Sequence, residues 1–225
     1  MRSHLFFGLL PQDVVVSYGD PREPFAELLP EEEALISRAV PARRREFSCG
    51  RCCARRALEH FGVRDFPLLS GPRREPIWPL GVVGSVTHTT GLCVVAVGAA
   101  ARYDGLGIDV EPDAALESRL HDRVSSSAER ASAGFLAPSI AARVIFSAKE
   151  AVYKCQFYLT RQFLDFSDVS IDLEAMGTYR AQLHVDVPEL QSKSAFVGRW
   201  ARRDGYLLTA SWLNASGAAE GHNPR

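Results

Sequence analysis

Two segments of this chain carry acidic side chains at spacings that constrain both their secondary structure and their place in a fold. In residues 105–112, strand alternation separates an apolar face from a face with two acids. The first face consists of Leu106, Ile108 and Val110, and the second of Gly107, Asp109 and Glu111. On one face of a strand the two acids would lie about 7 Å apart.

The second segment, residues 146–154, has the spacing of a helix with one polar stripe. Ser147, Glu150 and Lys154 share that stripe at i, i+3 and i+7, with Lys149 nearby. The opposite, apolar stripe consists of Ile145, Ala148, Val152 and Cys155. Because a buried helix has no structural use for a polar stripe, the two segments predict one site with three carboxylates and two lysines.

The composition is that of a globular protein without a general affinity for polyanions. The chain has 225 residues, 46% of them hydrophobic, so it can bury a core without metals or disulfides. The chain has 26 basic and 27 acidic residues, so its net charge is near zero. We therefore expect neither nucleic acid nor a membrane as a partner. The run at 4–10 is too short for a secretion signal, and no window reaches the length of a membrane span. The sequence therefore predicts a cytoplasmic protein.

The cysteines also fit a reducing compartment, because five is an odd number and their spacing suggests no disulfide framework. Cys49 and Cys52 have CxxC spacing, but they lie in a helical, arginine-rich context with no second Cys/His pair nearby in sequence. We therefore favour packed thiols over a zinc or redox site.

The apolar periodicity predicts an α+β fold. Helices are expected from Pro30, at 43–61 and at 139–158, with a turn-rich connection at 62–84. Strands are expected at 5–10, 14–18, 92–100, 106–110, 169–173, 179–187, 195–202 and 206–212. We expect the strands at 92–100 and 106–110 to pair across a turn at 103–105. A helix followed by antiparallel strands occurs twice, which predicts two similar lobes, 1–107 and 108–214, and a disordered tail at 215–225.

Clustered carboxylates repel one another, and a divalent cation removes that cost. Two or three carboxylate oxygens with water and a phosphate suit Mg²⁺, and no His or Cys accompanies these acids in sequence to suggest zinc or copper. Blander interpretations remain open for each piece alone. Asp109 and Glu111 could form a solvated strand face, and Glu150 with Lys154 is a common helix-surface pair.

Two further segments suit a phosphorylated ligand. Residues 79–91 form a predicted loop in which two glycines precede Ser85, and Thr87 and His88 supply hydrogen-bonding groups. A cluster of arginines in and after the first long helix could clamp a multiply charged ligand. The cluster comprises Arg43, Arg44, Arg45, Arg51, Arg55, Arg56, Arg73 and Arg74. A structural histidine and a solvated basic face are the alternatives.

Taken together, these segments resemble the Sfp-type 4′-phosphopantetheinyl transferases, including the siderophore-synthase and actinobacterial branches. The resemblance rests on four motifs in the family's order, spread over roughly residues 40–170. They are residues 43–51 (RRREFSCGR), 78–88 (WPLGVVGSVTH), 107–111 (GIDVE) and 146–154 (FSAKEAVYK). It implies two α+β lobes in one chain, a pseudo-dimer with coenzyme A (CoA) in the cleft between them.

The resemblance implies an activity as well. The enzyme would transfer the 4′-phosphopantetheine arm of CoA to a serine of an acyl or peptidyl carrier protein and release adenosine 3′,5′-bisphosphate. It would act as a monomer with Mg²⁺, for which Mn²⁺ could substitute.

The resemblance also implies residue roles. Asp109, Glu111 and Glu150 would hold the metal, and Glu150 would accept the serine proton, directly or through water. Lys154, with Lys149 nearby, would stabilise charge on the pyrophosphate. The remaining CoA contacts would come from Arg43, Arg51, Arg74, Ser85, Thr87 and His88.

Two positions depart from the family pattern. Phe146 stands where many relatives carry tryptophan, and Val110 stands where some carry a polar residue, which leaves the number of bound ions open. Two rival functions also remain open at this point. They are a Mg²⁺-dependent phosphohydrolase of CoA or a nucleotide, and a CoA-binding protein that docks carriers without turnover. No motif indicates which carrier is used.

Overall fold

The fold is known from a computed structural model, which describes residues 4–25, 27–190 and 196–215. Its helices are α1 (Pro30–Leu35), α2 (Pro41–Glu59), α3 (Ser118–Val124), α4 (Ser127–Ser132) and α5 (Pro138–Thr160). Its strands are β1 (Val15–Gly19), β2 (Val82–Thr89), β3 (Leu92–Ala99), β4 (Tyr103–Pro112), β5 (Val169–Leu173), β6 (Thr178–Leu183), β7 (Phe196–Arg203) and β8 (Tyr206–Asn214). No helix in these three ranges is both long enough and apolar enough to span a bilayer.

The strands form two antiparallel sheets, which confirms the predicted α+β class. One sheet has the order β1-β3-β2, and the other has the order β4-β8-β7-β6-β5. Helix α2 packs on the first sheet through Cys53, Ala57 and Leu58, and α5 packs on the second through its apolar stripe. Each long helix therefore buries one face on its own sheet.

A third cluster joins the sheets. The apolar face of β4, predicted from alternation, packs against Val83 of β2 and Val94 of β3. The edge strands β2 and β4 are linked by side chains, because the Ile108 amide donates to Ser85 Oγ at 3.1 Å. This junction places the ends of both sheets beside α5.

The other face of β4 lies almost directly on the backbone of α5. A Cβ atom at Gly107 would lie 1.8 Å from the Ala151 carbonyl oxygen, and one at Gly105 would lie 2.2 Å from that of Cys155. Only glycine permits this approach. It brings the next residue on that face, Asp109, within hydrogen-bonding reach of the helix.

Three predicted elements were wrong. Residues 5–10 form turns rather than a strand, with Gly8 at φ 73° and the carbonyls of Leu5 and Phe7 bound by Arg203 Nη1. Residues 79–91 contain strand β2 rather than a loop. Its eight residues pair with β3, and seven of the eight are buried or half-buried. The prediction that 92–100 pairs with 106–110 also fails, because β3 pairs with β1 and β2 while β4 pairs with β8.

The helix predictions were closer. Both long helices begin at a proline in the first turn, Pro41 in α2 and Pro138 in α5, where the missing N–H costs nothing. The five cysteines are buried thiols. Apart from Ala215, the predicted tail lies outside the described residues, and the lobe boundaries at 107 and 214 stay a prediction.

Gly107→Ala should destabilise the protein by about 3 kcal/mol or more, because no side chain can yield at a backbone contact this short. Gly50→Ala in α2 is the matched control, since its Cβ would meet only ordinary contacts at 3.5 Å and helix propensity gains up to ~1 kcal/mol. Urea unfolding of both variants measures the difference. Equal stabilities would contradict the close approach of β4 to α5.

Candidate functional site

The site is centred on Asp109, a buried carboxylate held by three donors from two elements. Its Oδ1 accepts from Thr87 Oγ1 of β2 at 3.0 Å and from Lys154 Nζ of α5 at 2.7 Å. Its Oδ2 accepts from Ser147 Oγ of α5 at 2.9 Å. Such partners offset the cost of burying a carboxylate, which here is 5% exposed. Asp109 therefore has a fixed orientation.

Ser147 is itself held by the neighbouring strand. Thr209 of β8 lies opposite Asp109 in the register, and its Oγ1 lies 2.9 Å from both the hydroxyl and the carbonyl oxygen of Ser147. All three side chains are buried. The chain from Thr209 through Ser147 to Asp109 locks α5 to the strand that carries the acid.

Glu111, two residues along β4, lies against the preceding turn of the same helix. Arg143 Nη1 donates to its Oε2 at 2.6 Å, and Arg143 Nη2 donates to the Ala115 carbonyl at 3.1 Å. Burial and then the charge of Asp109 raise the pKa of Glu111, and Arg143 opposes this. One arginine therefore does not fully compensate the negative charge here.

Glu150 lies on the same stripe of α5, one turn before Lys154. Burial raises the pKa of Glu150, and the charge of Asp109 raises it further, while Lys154 lowers it. Glu150 makes no hydrogen bond or ion pair within the described ranges, unlike Asp109 and Glu111. It is the acid of the three with the most to gain from a cation.

The donor set fits a hard divalent cation. The charge of Asp109 raises the pKa values of both Glu111 and Glu150, so the three carboxylates lie close enough to repel one another. In the described ranges, no sulfur or imidazole ligand stands among them. In the described part of the chain their oxygens do not all lie within 4.8 Å of one another. Lys154 pairs with Asp109, and Arg143 pairs with Glu111. A metal ion would therefore compete with these two side chains for the carboxylates.

A cavity of about 200 Å³ opens beside the acids, between β2 and α5. Of the predicted ligand contacts, Arg74, Ser85 and Lys154 line it. Its other lining residues are Arg73, Glu75, Pro76, Trp78, Gly84, Val86, Tyr153, Phe157, Tyr158 and Arg161. Three arginines at an apolar cleft suit a ligand with both an aromatic and an anionic part.

Arg43 and His88 form a second cationic corner. Arg43 Nη1 lies 3.1 Å from His88 Nε2 and 3.4 Å from Glu46 Oε2. Burial lowers the pKa of His88, and the positive charges of Arg43 and Lys154 lower it too, against the attraction of Glu46. A neutral imidazole can accept from Arg43 and leave its other nitrogen to donate.

Arg51, about two turns after Arg43 on α2, is almost fully buried. Its guanidinium stacks on the Phe47 ring at 4.0 Å and donates from Nη2 to Ser70 Oγ at 3.1 Å. Burial lowers the pKa of Arg51 to about 10. Its Nε has no hydrogen-bond partner within the described residues. The side chain is thus prepositioned but incompletely paired.

Lys149 is not brought to the other predicted residues. Its Nζ lies 3.0 Å from Glu129 Oε1 and donates to the Phe166 carbonyl at 2.8 Å, in a buried pair on another side of α5. Burial lowers the pKa of Lys149, and Glu129 opposes this. Its role here is to join α4 to α5, contrary to the predicted contact with CoA.

Sequence reasoning missed Arg143, Thr209 and most of the cavity lining. Arg143 could have been predicted, because it lies one helix turn before Ser147 on the polar stripe that also contains Glu150 and Lys154. Thr209 carried no signal, since nothing in the sequence says which strand pairs with β4. Phe146 packs against Phe166 with ring centroids 5.5 Å apart, so this position makes an apolar contact.

The comparison with known proteins covers most of the chain. Residues 31–98 match the model of the 4′-phosphopantetheinyl transferase N-terminal domain, and residues 105–210 match that of the 4′-phosphopantetheinyl transferase superfamily.

Named relatives include 4′-phosphopantetheinyl transferase Svp of Streptomyces mobaraensis, 41% identical over 94% of this chain and 91% of its own. 4′-Phosphopantetheinyl transferase PptT of Mycobacterium tuberculosis is 39% identical over 86% of this chain and 88% of its own. Enterobactin synthase component D of Escherichia coli is 34% identical over 65% of this chain and 71% of its own.

Glu150→Gln should stabilise the metal-free protein at pH 8, by roughly 1–3 °C in Tm. A carboxyl whose pKa is raised in the folded state contributes stability below its unfolded pKa of about 4.3 and loses it as pH rises through the folded value. The difference in Tm between Glu150→Gln and the wild type should therefore become smaller as the pH is lowered toward 4.

Calorimetry with and without Mg²⁺ checks both parts of this expectation. The ion should raise the Tm of the wild type more than that of the variant, because it binds the folded acid cluster. Asp113→Asn, whose carboxylate pairs with Arg202 at 2.5 Å, is the control. A wild-type advantage at pH 8 without metal would refute the raised pKa of Glu150.

Proposed function

The chain belongs to the 4′-phosphopantetheinyl transferase superfamily, and we propose that it transfers the 4′-phosphopantetheine group of CoA to a serine of a carrier protein. The other product is adenosine 3′,5′-bisphosphate. The observation that carries this proposal is the anchored Asp109, set among further acids beside an arginine-lined cavity. Charge neutralisation and positioning are what this type of reaction needs from a protein.

The anionic co-substrate is bound by the two cationic groups of the site. Arg43, Arg51 and His88 take the 3′-phosphate end, where the unpaired Nε of Arg51 gains a partner. Arg74 and Ser85 lie along the nucleotide in the cavity, and Thr87 acts by holding Asp109 rather than by touching the ligand. Lys154 Nζ donates to Asp109 at 2.7 Å and to the Ile108 carbonyl at 3.2 Å, and it offers its one remaining donor to the pyrophosphate.

Asp109, Glu111 and Glu150 are the residues that would hold Mg²⁺, or Mn²⁺ in its place. The ion supplies Lewis-acid stabilisation of charge on the pyrophosphate oxygens. Arg143 releases Glu111 for this role and keeps its bond to the Ala115 carbonyl.

The transfer itself is a substitution at the phosphorus that bears the pantetheine arm. The carrier serine Oγ forms a bond to this phosphorus, and the bond to the bridging pyrophosphate oxygen breaks. The electron pair of that bond leaves with adenosine 3′,5′-bisphosphate. Glu150 accepts the serine proton, directly or through water, and its raised pKa makes it a better base than an ordinary glutamate.

The nucleophile comes from the partner, so the enzyme needs no activated serine or cysteine of its own. The acids, Lys154 and β2 belong to a single chain, which supports action as a monomer across the two proposed lobes, 1–107 and 108–214. All five cysteines are buried and none forms a disulfide within the described ranges, which supports a reducing, cytoplasmic setting.

Incubation with CoA, Mg²⁺ and an apo carrier should add one phosphopantetheine group to the carrier, read by intact-protein mass spectrometry. One carrier each from fatty-acid, polyketide, nonribosomal-peptide and siderophore synthesis should be tried. Adenosine bisphosphate formed without any carrier would favour a phosphohydrolase instead. CoA binding with no mass gain on any carrier would instead indicate a protein that binds CoA and docks carriers without catalysing transfer.

Asp109→Asn and Glu150→Gln should each lower kcat by roughly 10²–10⁴-fold, the size of a general acid–base contribution. Arg51→Ala should mainly raise the KM for CoA. Lys149→Met should leave the KM for CoA unchanged and act through stability, because Lys149 pairs with Glu129. Steady-state kinetics with Asp113→Asn as a control tests these assignments, and unchanged rates in both acid variants would refute the metal site.

A further inference from the structure

A second cluster of ligand-type side chains lies in the core behind the basic face of α2. Cys49 and Cys53 stand one turn apart on α2, and Cys93 faces them from β3. Their three sulfur atoms all lie within 4.8 Å of one another, and none of the three residues is exposed. Cys52, which has CxxC spacing with Cys49, is not part of this cluster.

The space around the sulfurs is shaped by Gly19 at the end of β1. A Cβ atom there would lie 2.6 Å from Cys49 Sγ and 2.9 Å from Cys53 Sγ. Strand β1 thus closes over the cluster with bare backbone. In the described ranges, no His, Asp or Glu ligand atom joins the three sulfurs within the same 4.8 Å limit.

A positive charge lies at one edge of the cluster. Arg56 Nη2 is 3.1 Å from Cys53 Sγ and donates to the Tyr18 carbonyl at 2.8 Å, so it is fixed beside the sulfur. A guanidinium in this position stabilises a thiolate, which is the form that binds metals. It also offsets part of the negative charge that three thiolates bring into a core.

We propose that Cys49, Cys53 and Cys93 form a three-thiolate site for one thiophilic d¹⁰ cation, Cu(I), separate from the Mg²⁺ site. Soft thiolate ligands select Cu(I) and zinc over hard cations, and a structural zinc site almost always has four ligands. With three sulfurs and, among the residues that the structure describes, no fourth ligand, the set fits Cu(I). On coordination the thiol protons pass to the buffer, and no electron is transferred.

Burial also distinguishes this site from a redox switch. Cysteines that sense oxidants are accessible to them, whereas these three are sealed between α2, β3 and β1. A bound ion would tie α2 to β3 behind the arginines that are proposed to hold CoA. Its effect would therefore be to stiffen the basic helix.

The test is an anaerobic titration of the full-length, reduced protein with Cu(I), in competition with a colorimetric Cu(I) chelator. We expect one Cu(I) per chain and a higher Tm on loading. Cys93→Ser and Cys49→Ser should weaken binding by at least about 100-fold, since loss of even an outer-shell partner costs about 10–100-fold. Cys52→Ser, on the same helix but outside the cluster, should bind as the wild type does.

Cys93→Val is the control for misfolding. Valine fills the same apolar position in β3, so this variant should keep the fold and lose only the sulfur ligand. Its unfolding should be cooperative without metal, and it should gain no stability from Cu(I). No binding by the wild type, or an equal loss in Cys52→Ser, would overturn the site. Tighter binding of Zn²⁺ than of Cu(I) in a parallel titration would overturn the choice of ion.

Discussion

The structure depends on the contact between β4 and α5, where two glycines allow a strand to lie directly on a helix backbone. Because Gly105 and Gly107 have no side chains, the next residue on that face can reach three donors at once. A buried carboxylate is tolerated only when it is hydrogen-bonded and paired. The close packing of β4 on α5 and the position of Asp109 therefore depend on each other, because both are set by alternate residues of the same strand.

The electrostatics of the site follow from the same geometry. One face of α5 supplies Arg143, Ser147, Glu150 and Lys154 to the acidic face of β4. Lys154 pairs with Asp109 and Arg143 with Glu111, whereas Glu150 makes no ion pair among the described residues. Burial, together with the charge of Asp109, raises the pKa values of Glu111 and Glu150, and this supports the affinity for an added cation that we propose.

Much of this arrangement could be predicted from local patterns. Period-two alternation assigned both faces of β4, and the helical spacing of 146–154 separated the polar from the apolar stripe of α5. Pairing between strands could not be predicted, because β4 pairs with a strand roughly one hundred residues away rather than with its neighbour in sequence. For the same reason Thr209 escaped notice, and so did Cys93 as a neighbour of Cys49.

Side-chain identity alone also misled in two places. Lys149 stands next to Glu150 in sequence, yet a one-residue step on a helix turns it about 100° away, toward Glu129. The glycines of 79–91 suggested a loop, whereas they lie in or beside a strand. Val83 of this strand packs in the core between the sheets, and Val82 packs in the core under α2.

The link between Ser85 and the Ile108 amide has a consequence for the shape of the molecule. Where backbone ladders join strands, neighbours are held about 4.8 Å apart along their whole length. Here a hydroxyl replaces a rung, and β2 and β4 belong to different sheets. Thr87 joins the same two strands through Asp109. Ser85 also lines the ligand cavity, so a residue that joins the two sheets forms part of the cavity wall. The cavity therefore lies at a junction that is held by side chains and not by a backbone ladder.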